Sequence, residues 1–285
     1  MSGFSEQWLS LREPIDHASR NMNVLKAMLD DLREHHGQSL SSLRLMDLGC
    51  GSGSNLRALA PLFGNEQHWT LVDHDPCLLA AAGQALKRWA DEVVAVSDQE
   101  LHLRKGAAML TVSFHRADLE ADIEALMAMP HDLVTASALF DLVSQQWIER
   151  LCAQLASPLY AVLSFDGQMS WEPNHWLDRH VEDYFSRHQQ QDKGLGVALG
   201  PQAGSRLEQV LRARGFSVTS GKSPWQIRGL PSEFYDLLMQ GIARAVLEAG
   251  LSEVEVHDWL SFHAQTQCCV VGHDDLYASS PVVRA

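Results

Sequence analysis

The chain reads as an α/β fold: a doubly wound, mostly parallel seven-stranded sheet with a helical cover drawn from the N-terminus and from late insertions. Three observations predict it. An apolar run, residues 43–48, passes through Asp47 into glycines at every second position, Gly49, Gly51 and Gly53, and then into a helix start at Asn55. Acids close two further strand-like runs, Asp73 after 69–72 and Asp118 after 110–117. Strand-like and helix-like segments alternate through the first 166 residues, which is the signature of parallel strands joined by crossover helices.

The elements follow in order. Residues 14–35 carry an amphipathic stripe (Ala18, Met22, Leu25, Leu29, Leu32), and Pro14 suits a first helical turn. Strands are expected near 43–48, 69–73, 110–116, 132–139 and 159–165, with helices near 55–63, 76–92, 119–128 and 144–156. A small turn or hairpin is expected around 101–106. Beyond the fifth strand the chain leaves this minimal plan. Residues 171–191 look helical, with Trp176 in the core of that helix. A glycine-punctuated loop at 192–201 leads to a helix at 202–214. Residues 216–227 look strand-like, helices are expected over 232–249 and 252–265, and a last strand over 268–277. The organisation is therefore an N-terminal helical cover, residues 1–36, on a catalytic domain, residues 37–285, with insertions near 170–200 (a lid) and 230–266 (helical).

A strand, a glycine turn and a helix make a nucleotide cradle, because glycine lets the backbone approach a ligand closely and helix-start amides face its polar atoms. The dinucleotide fingerprint needs a third glycine where Ser54 stands, and the phosphate loop needs a Gly-Lys-Ser/Thr that is absent. The pattern that is present, Asp47-Leu48-Gly49-Cys50-Gly51-Ser52-Gly53, resembles motif I of the class I S-adenosylmethionine-dependent methyltransferases. The resemblance spans roughly residues 40–166. It implies a Rossmann-like methyltransferase fold whose last two strands pair antiparallel, with S-adenosyl-L-methionine as cofactor. It places Asp47, Gly49, Cys50 (through its backbone N–H), Gly51 and Gly53 around the methionyl and ribose portions. Asp73 would accept from the ribose hydroxyls, with His74 flanking the adenosine. Asp118, with Leu119 after it, would meet the adenine, and Ser137 would line the cofactor from the fourth strand. An N-terminal helix would close the site, with Arg20 or Arg12 pairing with the methionine carboxylate.

Methyl transfer from a sulfonium is an in-line displacement, and positioning alone can supply ~7–11 kcal/mol. A base is required only if the nucleophile must lose a proton. Asp141, on the loop after the fourth strand, is the first catalytic candidate, and capping of a helix starting near Ser144 is its alternative role. His17 and His188 are the further candidate proton acceptors.

Bulk properties narrow the function. The 285 residues carry a net charge of −14, which disfavours a phosphate-backbone partner. Five cysteines without paired spacing suit reduced thiols, and no H-x-x-x-H or H-E-x-x-H pattern occurs among fourteen histidines, so no metal site is expected. The first residues lack a basic and then apolar leader, and no membrane span is expected, so the location expected is cytoplasmic. The reading is a methyltransferase acting on a small molecule, with a homodimer as an allowed assembly. RNA or protein methylation, aminopropyl transfer and a non-catalytic cofactor-binding regulator are the competing readings.

Overall fold

The computed structural model describes residues 5–40, 42–97, 100–228 and 232–281. Two helices open the chain, α1 (Glu6–Ala18) and α2 (Met22–His36), rather than one. Ser5 caps α1 by accepting from the Trp8 amide, and Asn21 caps α2 by accepting from the amides of Asn23 and Val24. Pro14 thus lies inside α1 and not in its first turn. The expected cover (1–36) and helical insertion (230–266) each include residues outside the described set, 1–4 and 230–231.

The central elements follow the expected alternation. They are β1 (Leu43–Leu48), α3 (Ser54–Leu59), β2 (Glu66–Asp73), α4 (Pro76–Trp89), β3 (Glu92–Val96), β4 (Glu100–Lys105), β5 (Ala108–Arg116), α5 (Leu119–Met127), β6 (Leu133–Ser137), α6 (Gln145–Gln154) and β7 (Leu159–Glu172). Next come α7 (Asp178–Gln189), α8 (Ala203–Ala213), β8 (Ser217–Lys222), β9 (Trp225–Arg228), α9 (Glu233–Glu248), α10 (Glu253–His263) and β10 (Cys268–Ser279). Ten strands form one sheet in the order β3-β4-β5-β2-β1-β6-β7-β10-β8, with β9 also on β10. Five neighbours, β5, β2, β1, β6 and β7, run parallel, and β10 pairs antiparallel on both sides.

The difference from seven strands has two sources. β3 and β4 add an antiparallel hairpin extension at one edge, and the expected 216–227 strand is broken into β8 and β9 at Ser223-Pro224. Leucine-rich helical faces cover both sides of the sheet, α2, α3, α4 and α9 on one and α5, α6 and α8 on the other. Trp171, expected in a helix, belongs to β7 opposite Cys269. Trp176 is 66% exposed and is therefore not core.

The β7–β10 ladder is irregular where it matters. Val271 faces Met169 and His273 faces Phe165, so residues 166–168 of β7 stand against Gly272 alone. A second irregularity frees Asp275 from the ladder. Its fully buried carboxylate accepts from the Leu163 amide (2.8 Å), the Ser223 hydroxyl (2.6 Å) and the Asn21 amide (2.7 Å). One side chain thereby joins β7, the β8–β9 break and the start of α2.

Candidate functional site

Parallel strands deliver their carboxyl ends to one edge of the sheet, where ligands bind in open α/β folds. The turn after β1 has three left-handed glycines, with φ of 64° at Gly49, 53° at Gly51 and 79° at Gly53. Space is also limiting there: a Cβ on Gly49 would lie 3.2 Å from Leu139 Cδ1, and one on Gly51 would lie 3.2 Å from Leu9 Cδ1 of α1. The turn is held internally. The Gly51 amide donates to Asp73 Oδ2 at 2.9 Å, and the Gly53 amide donates to the Cys50 carbonyl at 2.9 Å. The Cys50 amide, expected to face a ligand, donates instead to the Val72 carbonyl at 3.0 Å, because the chain turns back beside β2. Burial holds the Cys50 thiol well above its ordinary pKa.

Asp73 is buried at the end of β2, its second oxygen accepting from the Asp75 amide at 3.0 Å, with His74 Nδ1 3.4 Å away on a half-exposed ring. Asp118 is exposed and caps α5, accepting from the Glu120 amide. Leu119 is buried and its carbonyl accepts from Trp147 Nε1 at 2.7 Å, while Ser137 ends β6 half-buried.

Two groups of polar side chains sit beneath α1. In the first, Asp47 is 1% exposed, and its Oδ1 accepts from Asn55 Nδ2 (2.6 Å) and Thr135 Oγ1 (2.7 Å). Its Oδ2 has no partner among the described residues. Burial raises the Asp47 pKa to about 6. Arg20, also buried, donates from Nη2 to Asn55 Oδ1 at 2.8 Å and leaves Nε and Nη1 unpartnered. Burial raises the pKa of the nearby Tyr160 to about 12, against the pull of Arg20 close to its hydroxyl.

In the second group, Arg12 Nε donates to Asp16 Oδ2 at 2.7 Å, and Asp16 Oδ1 accepts from Trp225 Nε1 at 3.0 Å. Asp141 lies on the turn after β6, buried, with Oδ1 unpartnered. Burial raises its pKa to about 6, against the pull of the Phe165 amide and Arg12. The helix-capping alternative for Asp141 is removed, since Ser144 caps α6 itself by accepting from the Trp147 amide. His273 packs its ring 4.7 Å from Trp225 and 6.3 Å from Phe165, with Nδ1 unpartnered. Burial, aided by Arg12, lowers its pKa to about 3, so the ring is neutral.

The other two histidine candidates are held elsewhere. His17 Nε2 stands 3.1 Å from the Ser54 carbonyl and 3.0 Å from its hydroxyl, which pins α1 to the glycine turn. The Glu13–Arg57 ion pair strengthens that clamp. His188 Nε2 lies 3.0 Å from Glu248 Oε2, and Lys193 Nζ lies 3.4 Å from its Nδ1, so the ring links α7 to α9. Of the two arginines expected near the site, Arg12 is engaged by Asp16, while Nε and Nη1 of Arg20 have no hydrogen-bond partner among the described residues. Asn55, Thr135, Tyr160, Trp225 and His273 were not among the expected site residues. A lone histidine within the apolar 268–277 run was the one available signal.

Two cavities of about 290 and 270 Å³, beside α4 and beside α5, share no residue with this strand-end site. No group of three or more His, Cys, Asp or Glu among the described residues could hold a metal ion, and no helix is long and apolar enough to cross a membrane.

No protein-family model matches the chain, and no curated protein matches it either. Among solved structures, the chain is similar to a cyclopropane-fatty-acyl-phospholipid synthase-like protein from Lactobacillus casei ATCC 334, at 15% identity and a TM-score of 0.50, covering 96% of this chain and 94% of that one. The YcgJ protein of Bacillus subtilis aligns at 12% identity, a TM-score of 0.49 and 92% and 99% coverage. Magnesium protoporphyrin IX methyltransferase from Synechocystis PCC 6803 aligns at 12%, 0.44, and 98% and 87%. The first of these and the sheet order, with its reversed strand between β7 and β8, decide the architecture. The chain has the class I methyltransferase fold. The glycine turn follows β1, Asp73 ends β2, and α1 packs on the turn through Leu9 and His17.

Proposed function

We propose that the chain is an S-adenosylmethionine-dependent methyltransferase acting on a small molecule. The observation that carries this reading is the set of unpartnered buried atoms beside the glycine turn: Nε and Nη1 of Arg20 and Oδ2 of Asp47. A buried polar group without a partner costs about 1–3 kcal/mol, more if charged, so such a set calls for a ligand of matching polarity. The methionyl end of the cofactor carries a carboxylate and an ammonium, which match Arg20 and Asp47 respectively. Asp73 would meet the ribose, and Asp118 and Leu119 the adenine, beyond the turn of Gly49, Gly51 and Gly53. The bound cofactor supplies an electrophilic methyl group on a sulfonium. The protein's part is to orient and to exclude water, for which α1, clamped through His17 and Glu13, is suited.

The free face of Arg20 favours the intact cofactor over its decarboxylated form, which lacks the group an arginine binds best. The net charge of −14 favours a small molecule over nucleic acid. Calorimetry with S-adenosylmethionine and S-adenosylhomocysteine tests cofactor binding, and transfer of a labelled methyl group to metabolite pools tests turnover. Asp73→Ala should weaken cofactor binding by roughly 2–4 kcal/mol, through two lost charge-assisted hydrogen bonds and a loosened Gly51 tether. Unchanged affinity would refute the ribose assignment.

A further inference from the structure

The charge buried under α1 is unbalanced. Among the described residues, five aspartates (Asp16, Asp47, Asp73, Asp141, Asp275) and three arginines (Arg12, Arg20, Arg57) are buried. Arg57 is matched by Glu13, which leaves two guanidiniums against five carboxylates. A bound S-adenosylmethionine adds one net positive charge and leaves the site still negative. The excess is not spread evenly. Asp275 is held by three donors, Asp73 by two backbone amides and Asp16 by Arg12 and Trp225, while Asp47, matched above to the cofactor ammonium, and Asp141, 8% exposed, each keep a whole oxygen unpartnered. His273, 5% exposed, has the neighbours Arg12 and Phe165 in common with Asp141, and its uncharged ring also presents an unpartnered nitrogen. Burial of a carboxylate with one oxygen lacking a donor is unfavourable, and a partner carrying both positive charge and N–H groups removes the cost most completely.

We propose that Asp141, with His273 in the same Arg12 and Phe165 surroundings, forms the recognition point for a small organic cation, an amine-bearing methyl acceptor in the reaction proposed above. Asp141 supplies the countercharge and His273 a neutral hydrogen-bonding partner that does not repel a cation. Arg12 is near enough to act on both Asp141 and His273, but it makes its hydrogen bond to Asp16, at 2.7 Å, with the Trp225 ring 5.2 Å beneath it. The apolar rings of Trp225 and Phe165 flank His273 at 4.7 and 6.3 Å. The reading rests on the methyltransferase assignment for its chemistry, but the ligand class follows from the charge of the site.

The test uses three probes of one shape and different charge, benzylammonium, benzyl alcohol and benzoate, titrated calorimetrically into the full chain with and without S-adenosylhomocysteine. Benzylammonium is expected to bind about tenfold or more tighter than benzyl alcohol, with benzoate weakest. Asp141→Asn, checked for folding by its melting curve, should lose about tenfold for benzylammonium and leave benzyl alcohol within about twofold. The charge series on the unsubstituted protein decides the matter even if that variant does not fold. No benzylammonium binding, equal binding of all three probes, a preference for benzoate, or indifference to Asp141→Asn in a folded variant would each overturn the proposal. The two readings fail separately. S-adenosylhomocysteine binding without benzylammonium binding removes this inference alone, and the converse removes the cofactor assignment and with it the methyl-acceptor role, leaving only the cation site.

Discussion

His263, where α7 meets α10, and His273, beneath α1, are buried almost equally, at 1% and 5% exposure. Their surroundings differ completely. His263 Nε2 lies 2.7 Å from Asp178 Oδ1 and its Nδ1 2.8 Å from Thr266 Oγ1, while Asp178 also accepts from Trp259 Nε1 and the His175 amide. His273 has Nδ1 without a partner, and Asp141, Asp47 and Arg20 around the same strand ends also have unused atoms. The hydrogen-bonded group of Asp178, His263, Trp259 and Thr266 is complete within itself, although the indole N–H of Trp171, whose ring packs 5.3 Å from those of Trp259 and His263, has no partner among the described residues. The strand-end cluster is complete only with something added. A buried polar network left half-satisfied is unfavourable to the folded protein, so the gathering of three such charged side chains (Arg20, Asp47 and Asp141) at the strand ends points to where a ligand belongs.

The largest effect should come from damaging the complete cluster. Asp178→Ala strands two ring N–H groups and one backbone amide that have no water-free alternative. It is expected to lower unfolding free energy by about 3 kcal/mol in urea titrations while leaving S-adenosylhomocysteine affinity unchanged. A loss below ~1 kcal/mol would mean that the cluster is hydrated and that the contrast between the two regions is weaker than the geometry implies.

The incomplete cluster should respond with the opposite sign. Asp47 has a folded-state pKa raised from 3.8 to about 6, so the folded protein retains a proton that the unfolded chain has lost. Its contribution to stability is therefore present below about pH 4 and is lost as the pH rises through about 6. Asp47→Asn removes the buried charge and keeps an oxygen for Asn55 and Thr135. It should stabilise the ligand-free protein by on the order of 2 kcal/mol at pH 8 and by little at pH 4, while weakening S-adenosylhomocysteine binding. Melting curves for both proteins across pH 4–8 check it. Destabilisation at pH 8 would show that the carboxylate is already satisfied without ligand.

How far the sequence revealed these two regions follows from the range of the contacts involved. The glycine turn, Asp73, Asp118 and the alternation of strands and helices were legible because each is written within a few residues. The fold followed from them, save the edge hairpin of β3 and β4 and the break at Ser223. The N-terminal helices were misjudged as one because the stripe of Ala18, Met22, Leu25, Leu29 and Leu32 runs unbroken across the Ser19–Asn21 turn, and Pro14 imitates a helix start while lying inside α1. The far end of β7 was hidden because its partner lies about a hundred residues on, as in the pairing of Trp171 with Cys269. Asp141 was found from its position after β6. His273 was not, since its neighbours Trp225 and Phe165 lie on two other strands, 48 and 108 residues away.

The smallest effect on stability, and the finest test of the contrast, concerns the helix that lies over the incomplete region. Leu9 is half-buried on α1 and touches the glycine turn, its Cδ1 3.2 Å from where a Gly51 Cβ would stand. Leu9→Ala should cost about 1 kcal/mol or less, below the 2–5 kcal/mol of a fully buried leucine, because much of the site can refill with water. Its consequence should be kinetic. With α1 held less closely on the turn, S-adenosylhomocysteine should leave several-fold faster in stopped-flow displacement, with a smaller change in association rate. The same substitution in the complete cluster's shell, Val181→Ala on α7, should cost more in stability and leave the dissociation rate alone, since Val181 is fully buried away from the strand ends. If both variants release the ligand at the unsubstituted rate, α1 is a fixed wall and not the barrier to exchange, and the ligand enters elsewhere.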